Sequence, residues 1–198
     1  MRKVTHTKWV NDDGFAFQFE PVEESLSIKK TKEGFEARYL AQDECYDTGR
    51  DEDDCLFLVH YHRSYWIERK SAISADDLRS WYQGEKIEQE KSFHIFAVSA
   101  LIHSGVWLKL GQRSFESDSM GWDTSHVGAV LAAKKEFKTR KRAEKAAESL
   151  IDEANKINSG EVFLIVKEAY TKAKEPIDYD VVGGHVGLKY ALNELKGF

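Results

Sequence analysis

Between Phe93 and Ala133 (FHIFAVSALIHSGVWLKLGQRSFESDSMGWDTSHVGAVLAA) the chain alternates apolar runs rich in β-branched and aromatic residues with tight polar connections. Runs this short, punctuated this often, are strands and turns rather than helices. Phe93 to Leu101 reads as a strand, His103-Ser104-Gly105 as a turn or bulge, and Val106 to Leu110 as the strand paired back on the first. Gly111 to Met120 is a polar loop, Gly121 to Gly128 a second tight connection, and Val127 to Ala132 a further strand. A chain with this centre is committed to an antiparallel sheet.

The flanking segments extend that sheet and add helices. Asn11-Asp12-Asp13-Gly14 is a turn signal, after which Phe15, Phe17 and Phe19 alternate with polar or small residues, the period of a strand with an aromatic face. Leu26 and Ile28 alternate again, and Phe35 to Leu40 gives another strand. Cys55 to Ile67 opens with Leu56-Phe57-Leu58-Val59, apolar on both faces and so a central strand. Ser74 to Tyr82 carries a helix start, with Ser74 as cap and Asp76 and Asp77 at the positive end of the dipole, and Gly84 as its stop. The long helix runs from Thr139 to Ile157, where Ala143, Ala147, Leu150, Ile151, Ala154 and Ile157 form a stripe at helical spacing. Glu161 to Tyr170 is a buried strand directly after it, which predicts that the two pack together. Pro176 to Asp180 reads as a loop, and Val181-Val182-Gly183-Gly184-His185 as a short strand into a glycine turn. Leu188, Ala191, Leu192 and Leu195 mark a short C-terminal helix. The fold expected is α+β: a mainly antiparallel sheet with one long helix on a face and a short C-terminal helix. The simplest division is one domain over 1–198; a boundary, if present, falls at the acidic stretch, leaving an N-terminal meander 1–42 and a core 55–196.

Charge separates few functions. A net charge of −5 is too small for a chain that mimics DNA phosphates along its length, and of the wrong sign for a dedicated nucleic-acid binder. Two cysteines, Cys45 and Cys55, predict a reduced cytosolic protein without a disulfide framework, although the pair flanks a loop that could bring them together. The first fourteen residues hold no apolar core of a signal peptide, and no run reaches the ~20 apolar residues of a membrane helix.

The candidate chemistry lies in the turns. His103, Asp123 and His126 occupy two connections close in sequence; with Ser104 or Ser125 nearby, a His-Asp pair supports general-base or nucleophilic catalysis. His60 and His62 share one strand face and with His103, Asp123 and His126 form an alternative metal set, but the expectation is no metal and no cofactor. Against both stands a structural reading: Asp123 caps its own turn, His103 bonds within a bulge and Trp122 plugs the core. The stretch DECYDTGRDEDD, with Asp51, Asp53 and Asp54, departs from the calcium-loop order and reads as a solvated acidic loop. Trp107 and Trp122, with Tyr65, Trp66 and Phe115, are enough large aromatics for some to be exposed as a binding surface. Lys134, Lys138, Lys141 and Lys145 fall opposite the apolar stripe if the long helix begins early, and such a stripe can track phosphates.

The order of these features, His62-Arg63 on a strand, then His103-Ser104-Gly105, then Trp122-Asp123-Thr124-Ser125-His126-Val127-Gly128, a helix, and the Ser159-Gly160-Glu161-Val162 turn, resembles a family of uncharacterised proteins common in bacteriophages and mobile elements. Members of that family carry a His-Ser-Gly turn and a Trp-Asp-Ser-Gly-Gln-Val-Gly stretch; here Thr124, Ser125 and His126 stand at the Ser, Gly and Gln positions. The resemblance spans residues 55–188 and implies an accessory protein acting in a host cytoplasm, with no activity to carry over. Joined to the acidic loop and the aromatic turns, it leads to the expectation of a non-catalytic protein that binds and inhibits a host component, a nucleic-acid-handling defence complex of the kind met by anti-CRISPR or anti-restriction proteins. The alternatives are a small hydrolase or nuclease using His103, Asp123 and His126, and a nucleic-acid binder using the lysines.

Overall fold

The computed structural model describes residues 9–44, 55–60, 73–102, 105–112, 115–118 and 120–198, with only the backbone of His60, and shows an α+β protein. In chain order the elements are β1 (Trp9–Val10), β2 (Ala16–Phe17), β3 (Ser27–Lys30), β4 (Gly34–Gln42), β5 (Leu56–His60), α1 (Ala75–Tyr82), β6 (Phe93–Ile102), β7 (Val106–Leu110), β8 (Thr124–Ala133), α2 (Arg140–Asn158), β9 (Val162–Thr171), β10 (Pro176–Val186) and α3 (Leu188–Gly197). The antiparallel strands form two four-stranded sheets rather than one, and a two-stranded ribbon, β1–β2. The chain accordingly divides into two compact units, one made of residues 1–47 and 160–198, the other of residues 48–159.

In the first unit the sheet order is β10-β9-β4-β3. β3 and β4 are the expected hairpin, but they are not a free-standing meander: β4 pairs along its whole length with β9, from Gly34 opposite Thr171 to Gln42 opposite Phe163. Gly34 is needed there, because a Cβ would land on the Tyr170 carbonyl. One face of this sheet carries Ala37, Tyr39, Ala41, Val166 and Tyr170 and is covered by Phe15 and Phe17, whose rings meet Tyr170 and Tyr39 edge to face. The other face carries Leu40, Phe163 and Ile165 and is covered by α3 through Ala191 and Leu195.

Two expectations change in this unit. Phe19 is not part of a strand: β2 stops at Phe17 because the next two amides donate to side chains, Gln18 N–H to Glu168 Oε1 (2.8 Å) and Phe19 N–H to the Tyr39 hydroxyl (3.4 Å). The segment expected as a loop, 176–180, is strand, and the glycine pair does not end it. The ladder slips between Val182 and His185, so Gly183 and Gly184 form a β-bulge; Gly184 takes φ +80° and its N–H donates to Asp43 Oδ2 at 3.1 Å.

In the second unit the order is β5-β8-β6-β7. α2 begins one residue after its cap, Thr139, whose hydroxyl accepts the Arg142 N–H, so Lys134 and Lys138 precede the helix and only Lys141 and Lys145 lie on it. Its stripe of Ala143, Ala147, Ile151 and Ala154 packs on Leu58, Phe96, Val98, Ala100, Leu108, Val130 and Ala132. The apolar face that was expected on the following strand is therefore used by the sheet that precedes the helix. Alanine at these positions lets backbone and sheet approach closely while keeping helix propensity. The opposite face of the sheet, Phe57, Val59, Ile95, Ala129 and Leu131, is covered by Leu78 and Trp81 of α1, which is capped by Ser74 as the sequence implies.

α2 also closes an edge. Among the described strands β7 is the outermost, and Leu108 pairs with Ala100 in a register that turns its own N–H and C=O away from β6. Asn155 of α2 meets both: Oδ1 accepts the Leu108 N–H at 2.7 Å and Nδ2 donates to the Leu108 carbonyl at 2.9 Å.

Candidate functional site

The turn before β8 is built by a residue that the sequence reading passed over. Asp118 is 9% exposed, and its carboxylate accepts three bonds: Trp122 N–H to Oδ1 (3.0 Å), Asp123 N–H to Oδ2 (2.9 Å) and Thr124 Oγ1–H to Oδ2 (2.8 Å). Burial alone would raise its pKa; the hydrogen bonds from Thr124, Trp122 and Asp123 outweigh it and hold the carboxyl below its ordinary value. Asp118 thus caps this turn. Because it satisfies the turn amides, the strand starts at Thr124, and Thr124, Ser125 and His126 are strand residues rather than part of a tight connection.

This pinned turn projects its side chains outward. Trp122 is 84% exposed and Met120 75% exposed, which overturns the expectation of Trp122 as a core plug. Trp107, 49% exposed, lies on β7 opposite Leu101 of β6, and Leu101 lies opposite Thr124 of β8. Cross-strand partners share a face, so Trp107, Leu101 and Thr124 form one row, ending two residues from Trp122. Phe115 joins it: its N–H donates to Thr124 Oγ1 (3.4 Å), and Lys109 Nζ sits 4.5 Å above its ring.

On the next row of that face, Ser99 of β6 lies opposite Lys109 on one side and His126 on the other. Ser99 is fully buried and its one hydroxyl proton goes to the Gly111 carbonyl (2.6 Å). His126 Nδ1, 3.2 Å from Ser99 Oγ, therefore carries a proton, so in the neutral ring the lone pair is on Nε2. The His126 ring stacks on Tyr82 at 5.4 Å. Burial pushes the Tyr82 phenol up to about 12, and its hydroxyl donates to the Gly128 carbonyl. Ser99 is no nucleophile in this arrangement, since its proton is committed to a carbonyl and water does not reach it.

Of the residues singled out in the sequence, Trp107, Trp122, Asp123 and His126 are brought to one end of this sheet, with the Asp123 carbonyl accepting the Ile102 N–H (3.0 Å). His103, Ser104, His62, Tyr65, Trp66, Asp51, Asp53, Asp54 and Cys45 lie outside the described residues, as does the His60 side chain. The catalytic grouping is thus described only for Asp123 and His126. Lys138, Lys141 and Lys145 are exposed, with Glu144 and Glu148 exposed among them. Among the described residues no three His, Cys, Asp or Glu side chains are placed to hold a metal ion, and no helix is long and apolar enough to cross a membrane.

Comparison with family models, with curated proteins and with solved structures gives no match to this chain.

Proposed function

We propose that this protein is a non-catalytic accessory protein of a phage or mobile element that binds and inhibits a host component in the host cytoplasm, a nucleic-acid-handling defence complex of the kind that anti-CRISPR and anti-restriction proteins target, and that it docks through the aromatic end of the 48–159 unit. The observation that carries this is Trp122, exposed beside Met120 on a turn that three hydrogen bonds to Asp118 hold still. A large apolar side chain carried on a hydrogen-bonded turn leaves less backbone freedom to be lost on binding. Tryptophan and methionine are enriched at the centres of protein interfaces, and tryptophan is the commonest energetic anchor. The row through Trp107 and Leu101 gives that anchor a contiguous surround.

The test is a tagged pull-down from host lysate with wild type and Trp122→Ala, followed by an assay of the captured complex. Stoichiometric capture of a defence component that wild type inhibits and Trp122→Ala neither retains nor inhibits supports the reading. Absence of a stoichiometric partner, or equal capture by both proteins, defeats it. A hydrolase or nuclease using His126 as base is the second reading, favoured by the Nε2 lone pair of the neutral ring that the bond to Ser99 sets; it requires turnover that disappears in His126→Ala with the fold intact.

A further inference from the structure

The first unit buries a carboxyl group with no cation paired to it among the described residues. Glu168 of β9 is 3% exposed and lies on the aromatic face of its sheet. It accepts three hydrogen bonds and donates none: Tyr39 Oη–H (2.8 Å) and Gln18 N–H (2.8 Å) to Oε1, and Tyr170 Oη–H to Oε2. Burial first, and then the Glu168 carboxylate, raise both phenols above their ordinary range, so they remain donors. Among the described residues no lysine or arginine forms an ion pair with Glu168: Lys167 Nζ is with Glu36 (3.4 Å), and Lys174 donates to the Asp13 carbonyl. Taking a carboxylate out of water costs several kcal/mol or more unless a counter-charge or strong donors replace the solvent.

Glu168 also forms part of the wall of a cavity of about 160 Å³, lined by Ala16, Gln18, Pro176, Ile177, Asp178 and Tyr179. Cavities of about this size hold one benzene-sized molecule. Tyr179 lies directly opposite Glu168 in the β9–β10 register, so its ring stands on the same side of the sheet. A carboxylate offers about four lone-pair positions, and three are used. The one remaining is on Oε2, which suits a single N–H donor better than the two parallel donors of a guanidinium.

We propose that this pocket binds an alkylammonium group, its nitrogen on Glu168 and its short carbon stem against Tyr179 and Ile177. The carboxylate supplies the charge, and the Tyr179 face supplies cation–π attraction. The same chemistry arises from a free primary amine or from a lysine of a partner protein.

The experiment is an amide-resolved NMR titration of the full chain with n-butylammonium chloride, with n-butanol and sodium chloride as controls, and in parallel with a short blocked peptide carrying one lysine. Saturable shifts at Gln18, Glu168 and Tyr179 with the cation, absent with butanol, are expected. Glu168→Gln is expected to weaken binding by roughly tenfold or more, the size of one charge-assisted hydrogen bond. Tyr179→Ala, at an exposed strand position, tests the wall independently of whether Glu168→Gln folds, and is expected to weaken binding several-fold. Tighter binding of butylammonium than of the peptide assigns the pocket to a free amine, and the reverse assigns it to a partner's lysine. Equal binding of butanol, no saturation with either cation, or affinity unchanged in Tyr179→Ala and in a folded Glu168→Gln overturns the proposal.

Discussion

Replacing Asn155 by alanine isolates the contribution of the bond pair that closes the β7 edge. The two bonds, 2.7 and 2.9 Å, go to both main-chain groups of Leu108, a residue only 6% exposed. Each neutral bond contributes about 0.5–1.5 kcal/mol net, so their joint loss costs about 1–3 kcal/mol. Alanine regains about half a kcal/mol through helix propensity, leaving a net loss of about 0.5–2.5 kcal/mol. With a urea slope of about 2 kcal/mol/M, the unfolding midpoint of the 48–159 unit falls by roughly 0.3–1.2 M. Hydrogen exchange locates the effect: the Leu108 amide must exchange faster in Asn155→Ala under native conditions, whereas amides of β8, in the middle of the sheet, slow or quicken only with global stability. A variant as stable as wild type, or a Leu108 amide that exchanges at its original rate, would refute the view that a helix side chain serves as the missing neighbour of this strand.

Gly34→Ala puts a methyl group onto the Tyr170 carbonyl, and the β4–β9 pair must separate to admit it; a loss of at least about 2 kcal/mol is expected from denaturant unfolding of the unit that holds the pair. Tyr39→Phe removes a 2.8 Å donor from Glu168 at a position with no exposure and should cost about 2 kcal/mol by the same assay, with little change in shape. Asp118 gives the pH prediction. Its folded pKa is depressed, so its stabilisation is present above the ordinary carboxylate range and is lost as pH falls through the folded value, below about pH 4. Asp118→Asn should remove that part of the acid limb in urea midpoints measured between neutral pH and pH 3; an unchanged acid limb would show that the turn does not depend on the charge.

Local signals in the sequence were strong where the causes are local. Ser74 and Thr139 announce helices that start within a residue of the expected place, and the apolar period of 143–154 is the face that is buried. Alternation placed β3, and apolar runs between turn signals placed β4 and the β6–β7 hairpin. The partnership of β4 with β9 has no local mark, because it is made by segments far apart in the chain; hence one sheet was expected and two are found. Asp118, Ser99 and Glu168 were passed over for a related reason. Each looks ordinary beside its neighbours, and only its pairing shows its role. A signal existed in all three: Ser99 is the one hydroxyl in FHIFAVSALI, Glu168 shares strand parity with Leu164, Val166 and Tyr170, and Asp118 stands three residues before Gly121 in an Asx-turn pattern. A polar group on an apolar face must have a partner, so each marks a place to look. Asp123 and His126 stood out as functional types, and the bond to Ser99 sets the tautomer of the neutral His126 ring.

Gln42 and Phe163 are partners across β4 and β9, and the Asp43 N–H reaches the Val162 carbonyl at 2.9 Å. The strand leaving the first sheet and the strand returning to it are thus already side by side, at the spacing a tight hairpin spans. Everything between them is, for that sheet, a guest inserted at one rung of a ladder. Such an arrangement lets the guest be exchanged, lengthened or removed without re-registering its host, so the surface presented by residues 48–159 is free to diversify while the β3-β4-β9-β10 scaffold stays constant.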